Sequence, residues 1–315
     1  MPSMRVISPG FLTTVQDAGR PGYAHLGVSA SGAADQLSLR LGNLLVGNPA
    51  HSAALEMTLV GGVFEFESPC MVALTGSDFG ATLDGREVPL WHSVYVAAGQ
   101  VLRCGPTKRG ARCYVCIRGG IDVPAVLGSA STHVATSLGG FGGRALKAGD
   151  VLLCKTLQEK PSHVPQRVKR IVLDRIAFRE KIRVIAGPQI DLFPEGVRSL
   201  FTSSQYRVTE EADRMGLRLS GPPLRGPGAH DILTEGVPLG AIQVPRDGEP
   251  IILFVEHQTT GGYPKIATVI STDIHAVGQL RPRDTVTFEF VSVEQAVRLL
   301  AQLEALITTG SLEPA

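Results

Sequence analysis

The sequence predicts a mainly β protein made of two related halves, with few helices and with barrels or sandwiches as its architecture. Three observations carry this. Apolar segments of strand length recur along the chain, cut by turns rich in Gly and Asp. Glycine and proline are abundant, at 36 and 21 of 315 residues, yet follow no fixed period, which means many tight turns rather than collagen or disorder. A stretch of the first half also reappears in the second.

The strands come first. Phe64-Glu65-Phe66-Glu67 alternates apolar and polar, as a strand with one buried face does. Residues 70–74 follow, ahead of a Thr75-Gly76-Ser77 turn, and then 88–96, 101–104 and 113–118. In the second half, 182–186, 251–255 and 285–291 read the same way, and Asp84-Gly85, Gly149-Asp150 and Asp247-Gly248 supply turns. Helical spacing is confined to two segments. Residues 32–45 carry Leu37, Leu41, Leu44 and Leu45. Residues 293–307 place Val297, Leu300, Ala301, Leu303 and Ile307 on one face, with Ser292 positioned to cap.

The repeat sets Ala34-Asp35-Gln36-Leu37-Ser38-Leu39-Arg40-Leu41 against Ala212-Asp213-Arg214-Met215-Gly216-Leu217-Arg218-Leu219. A turn follows each copy, Asp84-Gly85-Arg86-Glu87-Val88-Pro89 in one and Asp247-Gly248-Glu249-Pro250 in the other; the order is shared and the spacing is not. Residues 158–170 are polar and basic and include Pro161 and Pro165, so they read as a linker. The expected domains are therefore 1–165 and 166–315, the second with the terminal helix. Two barrels facing each other leave a cleft, a common place for a ligand.

Composition excludes several classes. A net charge of +1, with no basic stripe interleaved with aromatics, argues against nucleic acid. Residues 1–10 hold no long apolar core, so no signal peptide is read there, and the longest apolar runs are too short to span a bilayer. The chain is expected to be cytoplasmic. Five cysteines make no disulfide framework. Cys113 and Cys116 lie on a strand-like tract that sends them to opposite faces, and no second pair completes a zinc site, so no metal is expected. No phosphate-loop motif occurs, no G-x-S-x-G elbow and no H-E-x-x-H. Gly139-Gly140-Phe141-Gly142-Gly143-Arg144 reads as a tight turn ahead of a phosphate cradle.

Chemistry concentrates in residues 240–248 and 256–265. Gln243 sits between Ile242 and Val244, and Gln258-Thr259-Thr260 follows an apolar strand directly. Burying an amide or hydroxyl without a partner costs on the order of 1–3 kcal/mol, so these groups need partners in the fold or in a ligand. A carboxamide presents donor and acceptor side by side, complementary to the edge of an amide or lactam. Gly261 and Gly262 let backbone approach a ligand closely. Gln243, Gln258, Thr259, Gly261, Gly262 and Tyr263 are thus the candidate substrate-binding set. Lys265 is the candidate catalytic cation, for charge on a carbonyl oxygen or carboxylate, and Asp273 the candidate base or the group that orients it. The same run also reads as strand-end capping and turn chemistry.

Two weaker candidates lie in the first half. Gln16, Asp17 and Arg20 crowd against glycines, where Arg20 can meet a ligand or an Asp17–Arg20 pair can pin a turn. Arg118-Gly119-Gly120 with residues 128–132 can accept an anion or close strand ends.

These residues also carry a family resemblance. Thr13-Thr14-Val15-Gln16-Asp17-Ala18-Gly19-Arg20, Ser31-Gly32-Ala33-Ala34-Asp35, Asn43-Leu44-Leu45-Val46-Gly47-Asn48, Leu55-Glu56 and Arg118-Gly119-Gly120 belong to it. So do Ala212-Asp213-Arg214-Met215-Gly216, Glu235-Gly236-Val237-Pro238-Leu239-Gly240-Ala241-Ile242-Gln243-Val244-Pro245 and Gln258-Thr259-Thr260-Gly261-Gly262-Tyr263-Pro264-Lys265. The chain resembles the biotin-dependent-carboxyltransferase-like family, also described as allophanate-hydrolase-subunit-2-like, up to about residue 290. The resemblance implies two cyclophilin-like β-barrel domains facing each other. It also implies membership of an ATP-dependent 5-oxoprolinase that opens 5-oxo-L-proline to L-glutamate with partner polypeptides. Those partners are the A and B polypeptides of 5-oxoprolinase, the latter allophanate-hydrolase-subunit-1-like. ATP would be bound mainly by another polypeptide of the complex, since this chain has no nucleotide motif.

Two alternatives within the family are carboxyl transfer from carboxybiotin to urea or a related amide, with biotin as cofactor, and antagonism of a kinase-inhibitor protein. The chain has no biotin-accepting A-M-K-M-like motif, which weighs against the first. Thr234 stands where relatives often have Ser, and Arg281-Pro282-Arg283-Asp284 where a Pro-Gly turn is expected. Neither departure touches Gln243, Gln258 or Lys265.

Overall fold

The computed structural model describes residues 2–156, 164–177, 180–225 and 232–315. It divides into two units, one comprising Met1–Arg20, Ser31–Ala177 and Ala305–Ala315, the other Pro21–Ala30 and Phe178–Glu304.

The first unit runs β1 (Ser3–Ser8), β2 (Leu12–Gln16), α1 (Gln36–Leu45), β3 (Ala54–Thr58), β4 (Val63–Phe66) and β5 (Cys70–Gly76). It continues through β6 (Thr82–Leu83), β7 (Arg86–Glu87), β8 (Ser93–Val96), β9 (Val101–Arg103), β10 (Arg112–Ile117), β11 (Val151–Leu153), β12 (Gln166–Val168) and α2 (Arg170–Ile176). Six strands form one sheet in the order β11-β1-β4-β9-β6-β7, and five form another, β2-β3-β10-β5-β8. The sheets share one core, with Phe64, Phe66 and Leu102 from the first and Leu55, Met57, Val72, Leu74, Cys113 and Val115 from the second.

All six residues of β10 are buried, because both of its faces are covered. One face enters that shared core. On the other, Cys116 lies against Leu39 and Gly42 of α1, and a Cβ on Gly42 would stand 2.5 Å from the Cys116 sulfur. The C-x-x-C pair therefore does straddle the strand. Burial pushes the thiols of Cys70, Cys104 and Cys154 up to about 12, and those of Cys113 and Cys116 upward as well. Since the thiolate is the reactive form, the five free cysteines should resist dithionitrobenzoate in the native chain at pH 8 and all titrate in guanidinium. Rapid reaction of any one in the native chain would contradict this packing.

Helix α1 begins at Gln36, later than residue 32. Gly32 has φ +95°, and Asp35 caps the helix by accepting from the Ser38 N–H at 2.9 Å and the Ser38 hydroxyl at 2.5 Å. Buried Glu56 accepts from the Ala34 N–H (2.8 Å) and the Tyr114 hydroxyl (2.7 Å), while the Asp35 N–H donates to the Tyr114 oxygen (2.8 Å). The Ser31–Asp35 and Leu55-Glu56 motifs thus lock one helix start onto the sheet.

The second unit contains β13 (Lys181–Ala186), α3 (Glu195–Ser203), β14 (Tyr206–Val208), β15 (Gly216–Ser220), β16 (Glu235–Gly236), β17 (Ala241–Gln243) and β18 (Ile251–Leu253). β19 (Thr260–Gly261), β20 (Lys265–Val269), α4 (Ile274–Gly278), β21 (Thr285–Phe290) and α5 (Val293–Leu306) follow. Seven strands close a barrel in the order β13-β20-β17-β18-β15-β14-β21, with β13 and β21 parallel at the seam. Phe201 of α3 stacks on Phe288 of β21 with ring centroids 4.5 Å apart, beside Tyr206. The Gln295 N–H donates to the Ser292 hydroxyl at 3.1 Å, so α5 starts where its cap places it.

The linker reading needs correcting. Residues 158–163 lie outside the described residues, but Gln166–Val168 is strand β12, paired antiparallel with β22 (Leu312–Pro314), and α2 follows. The pairing partner lies at the far end of the chain, which no local pattern reveals. Among the described residues, no helix is long and apolar enough to cross a membrane.

Candidate functional site

The second unit gathers a polar group at one end of its barrel. β17 and β20 pair antiparallel with Gln243 opposite Lys265, and the register shifts between Ile242 and Gln243. Such an irregularity re-aims side chains. Both residues are 1% exposed. From the turn after β18, the Gln258 Nε2 donates to the Gln243 Oε1 at 3.3 Å. His257 steadies that turn, because its Nδ1–H donates to the Gln258 carbonyl (2.6 Å); burial holds its imidazole below its ordinary pKa, hence neutral.

Gly261 is required by this arrangement, since a Cβ there would stand 2.6 Å from the Gln243 Nε2. Gly262 faces the Ile232 carbonyl, and its own carbonyl accepts from the Ile232 N–H. The Thr259 carbonyl accepts from the Val237 N–H, and Tyr263 is exposed.

Two residues that the sequence does not single out complete the group. The Gln189 Oε1 accepts from the Lys265 N–H (3.1 Å), and its Nε2 donates to the Glu235 Oε1 (2.8 Å). The same Glu235 oxygen lies 2.6 Å from the Lys265 Nζ. Glu235 is the one partner of the ammonium among the described residues, which leaves two of its three protons without an acceptor there, and the Gln243 Nε2 has none. The Lys265 ammonium first, and the Gln189 amide second, hold the Glu235 carboxyl below the ordinary glutamate range. Glu235 opens the 235–245 motif, so its neighbourhood, though not its role, is visible in the sequence. Gln189, by contrast, is a single amide in a loop 76 residues from Lys265, with nothing local to mark it.

Two buried donors on directly paired strand positions, one without an acceptor and one with a single partner for its three protons, are unusual in a protein interior. They fit a ligand that brings oxygen atoms.

The remaining candidates behave differently. Asp273 neither orients Lys265 nor stands ready as a base. Its carboxylate accepts from the Arg183 N–H (2.9 Å), Nε (3.0 Å) and Nη2 (2.5 Å), a bidentate pair that ties β13 to the start of α4. Arg20 and Arg118 belong to the first unit. Arg20 is buried and donates to the Ser131 and Val126 carbonyls. Arg118 donates to the Val46 carbonyl just past α1 (3.0 Å) and lines a cavity of about 100 Å³ with Leu44, Met71 and Gln166.

The anion expected at residues 128–132 is the protein's own. Asp17 accepts from the Ser129 and Ser131 hydroxyls and the Ala130 N–H, each at 2.6 Å, and from the Gly19 N–H at 2.8 Å.

Residues 26–290 match the family described as carboxyltransferase domain, subdomain A and B. The C subunit of 5-oxoprolinase from Escherichia coli (strain K12) is 38% identical over 94% of this chain and 93% of its own length. The protein of the same name from Haemophilus influenzae is 36% identical over 91% and 90%. Among solved structures, the Kluyveromyces lactis urea carboxylase superposes with a TM-score of 0.92 at 34% identity; the match covers 99% of this chain and 30% of that one.

Proposed function

We propose, from the premise that this chain belongs to the carboxyltransferase domain, subdomain A and B, family, that it works as one component of an ATP-dependent 5-oxoprolinase. Support comes from likeness over nearly the whole length of two proteins that bear the name of the 5-oxoprolinase C subunit. The observation that carries the site is the pair of buried donors beside Gln258, the Gln243 Nε2 with no acceptor and the Lys265 Nζ with Glu235 alone.

The chemistry follows from those groups. The carbonyl of an unstrained lactam is a poor electrophile. Phosphorylating its oxygen from ATP, which leaves as ADP, makes the ring carbon open to water; the C–N bond of the adduct then breaks, the nitrogen takes a proton, and a second water cleaves the resulting acyl phosphate to carboxylate and phosphate. This chain's share is to hold the lactam. The Gln243 Nε2 donates to the ring carbonyl oxygen, and its Oε1 accepts from the ring N–H. Closing water out of the pocket strengthens both contacts. ATP is bound by a partner, the A and B polypeptides of 5-oxoprolinase complete the complex, and the assembly is cytoplasmic.

A second reading rests on one observation, the 0.92 TM-score to urea carboxylase. There the same carboxamides would hold a neutral amide as it accepts a carboxyl group from carboxybiotin. Copurification with the A and B polypeptides, followed by assay of glutamate release from 5-oxoproline with ATP, separates the two. Glutamate release that requires this chain is the expected result. A well-folded three-part complex that releases none, yet carboxylates urea when given a biotin carboxylase and carrier, reverses the assignment.

A further inference from the structure

The Lys265–Glu235 contact has an uneven build. Lys265 is buried on a central barrel strand, its side chain 1% exposed, while that of Glu235 is 44% exposed and comes from the solvent side. Glu235 rides on β16, which is two residues long and, among the described residues, paired only with the equally short β19, Glu235 opposite Gly261. A buried cation is thus met by a single carboxylate on a slight support, and its remaining ammonium protons find no acceptor among the described residues. A structural ion pair meant to neutralise a buried lysine gains most when further hydrogen bonds satisfy those protons. This one lacks them.

We infer that Glu235 occupies a subsite for a ligand carboxylate. A small lactam or amide that carries a carboxylate binds with that group on the Lys265 Nζ, displacing Glu235, while its amide edge meets Gln243. The inference rests on the lactam reading of the site and narrows it to anionic substrates. A neutral amide such as urea has no group to take the place of Glu235 and gains nothing at Lys265, so the subsite favours anionic ligands. The Gln189 amide, bonded to both the Lys265 backbone and Glu235, remains to hold the freed Glu235 or the arriving carboxylate.

Glu235→Gln removes the competing charge while keeping size and hydrogen bonding; because it leaves Lys265 buried without a counter-charge, a thermal melt of the variant establishes that it is folded at the titration temperature. Titration calorimetry on the full chain would use 5-oxoproline, its uncharged analogue 2-pyrrolidinone, and acetate. In Glu235→Gln, 5-oxoproline should bind about threefold to tenfold more tightly, as expected for loss of a partly exposed competing ion. Acetate should gain likewise and 2-pyrrolidinone should not change.

If 5-oxoproline binds Glu235→Gln no better than the wild type while the complex still releases glutamate, the carboxylate subsite is overturned and the lactam reading stands. If acetate gains affinity but neither lactam binds, the subsite stands and the lactam reading fails. Equal gains for 5-oxoproline and 2-pyrrolidinone would also overturn the subsite.

Discussion

Lys265→Met in the reconstituted complex should cost about 10²–10³ in kcat/KM for 5-oxoproline, the scale of removing one member of a buried charge-assisted pair. The loss should fall mainly on KM if, as inferred above, the ammonium holds a substrate carboxylate rather than acting on the reacting carbon. Folding should survive. Methionine matches the length of the lysine stem and keeps an apolar side chain at a fully buried position of β20. The partner left behind, Glu235, is half exposed and can hydrate, so the variant creates no buried uncompensated charge. Thermal melts of the chain and gel filtration of the complex check both points. Full activity in Lys265→Met would remove the site from the second unit altogether. A fall in kcat alone, at unchanged KM, would move the ammonium to the carbonyl oxygen.

Gln243 and Lys265 are legible in the sequence because strand residues have a fixed geometry. A polar residue between Ile242 and Val244 faces solvent on a strand with one covered face and a pocket or core on a strand buried on both; β17 is of the second kind, and the register sets Gln243 beside Lys265. Gln258 is legible for a related reason, since the apolar strand before it ends abruptly in polar groups. The partner of a charged residue is a different matter. Asp273 is eight positions from Lys265, and that nearness suggests a pairing, but β20 carries the chain away and delivers Asp273 to Arg183 on β13. Pairing across a barrel seam depends on strand order, which alternation along one strand does not contain. Gln189 is invisible on the same ground. In the first unit, Asp17 and residues 128–132 carry the expected chemistry, an anion held by hydroxyl and backbone N–H donors, but the anion is part of the chain. Donor-rich loops look alike whether they serve a ligand or a distant carboxylate.

Asp273→Ala should destabilise the second unit by about 3–5 kcal/mol, the cost of stripping one partner from a buried ion pair. The side chain of Asp273 is 2% exposed and that of Arg183 16%, so the stranded guanidinium has little access to water. Its loss also orphans the Arg183 backbone N–H, which no longer finds a side-chain acceptor. Asp273 also raises the Arg183 guanidinium above its ordinary pKa, through its hydrogen bond foremost, with burial opposing. Urea unfolding followed by tyrosine fluorescence would measure the shift. Asp273→Asn keeps one acceptor and the side-chain volume, so it should cost less, and the folded variant should retain the wild-type kcat and pH profile in the complex. That second measurement decides the role of the residue. A carboxylate serving as a proton acceptor would lose turnover by orders of magnitude on amidation even where the fold is intact, whereas one that only fastens β13 to α4 would change stability alone.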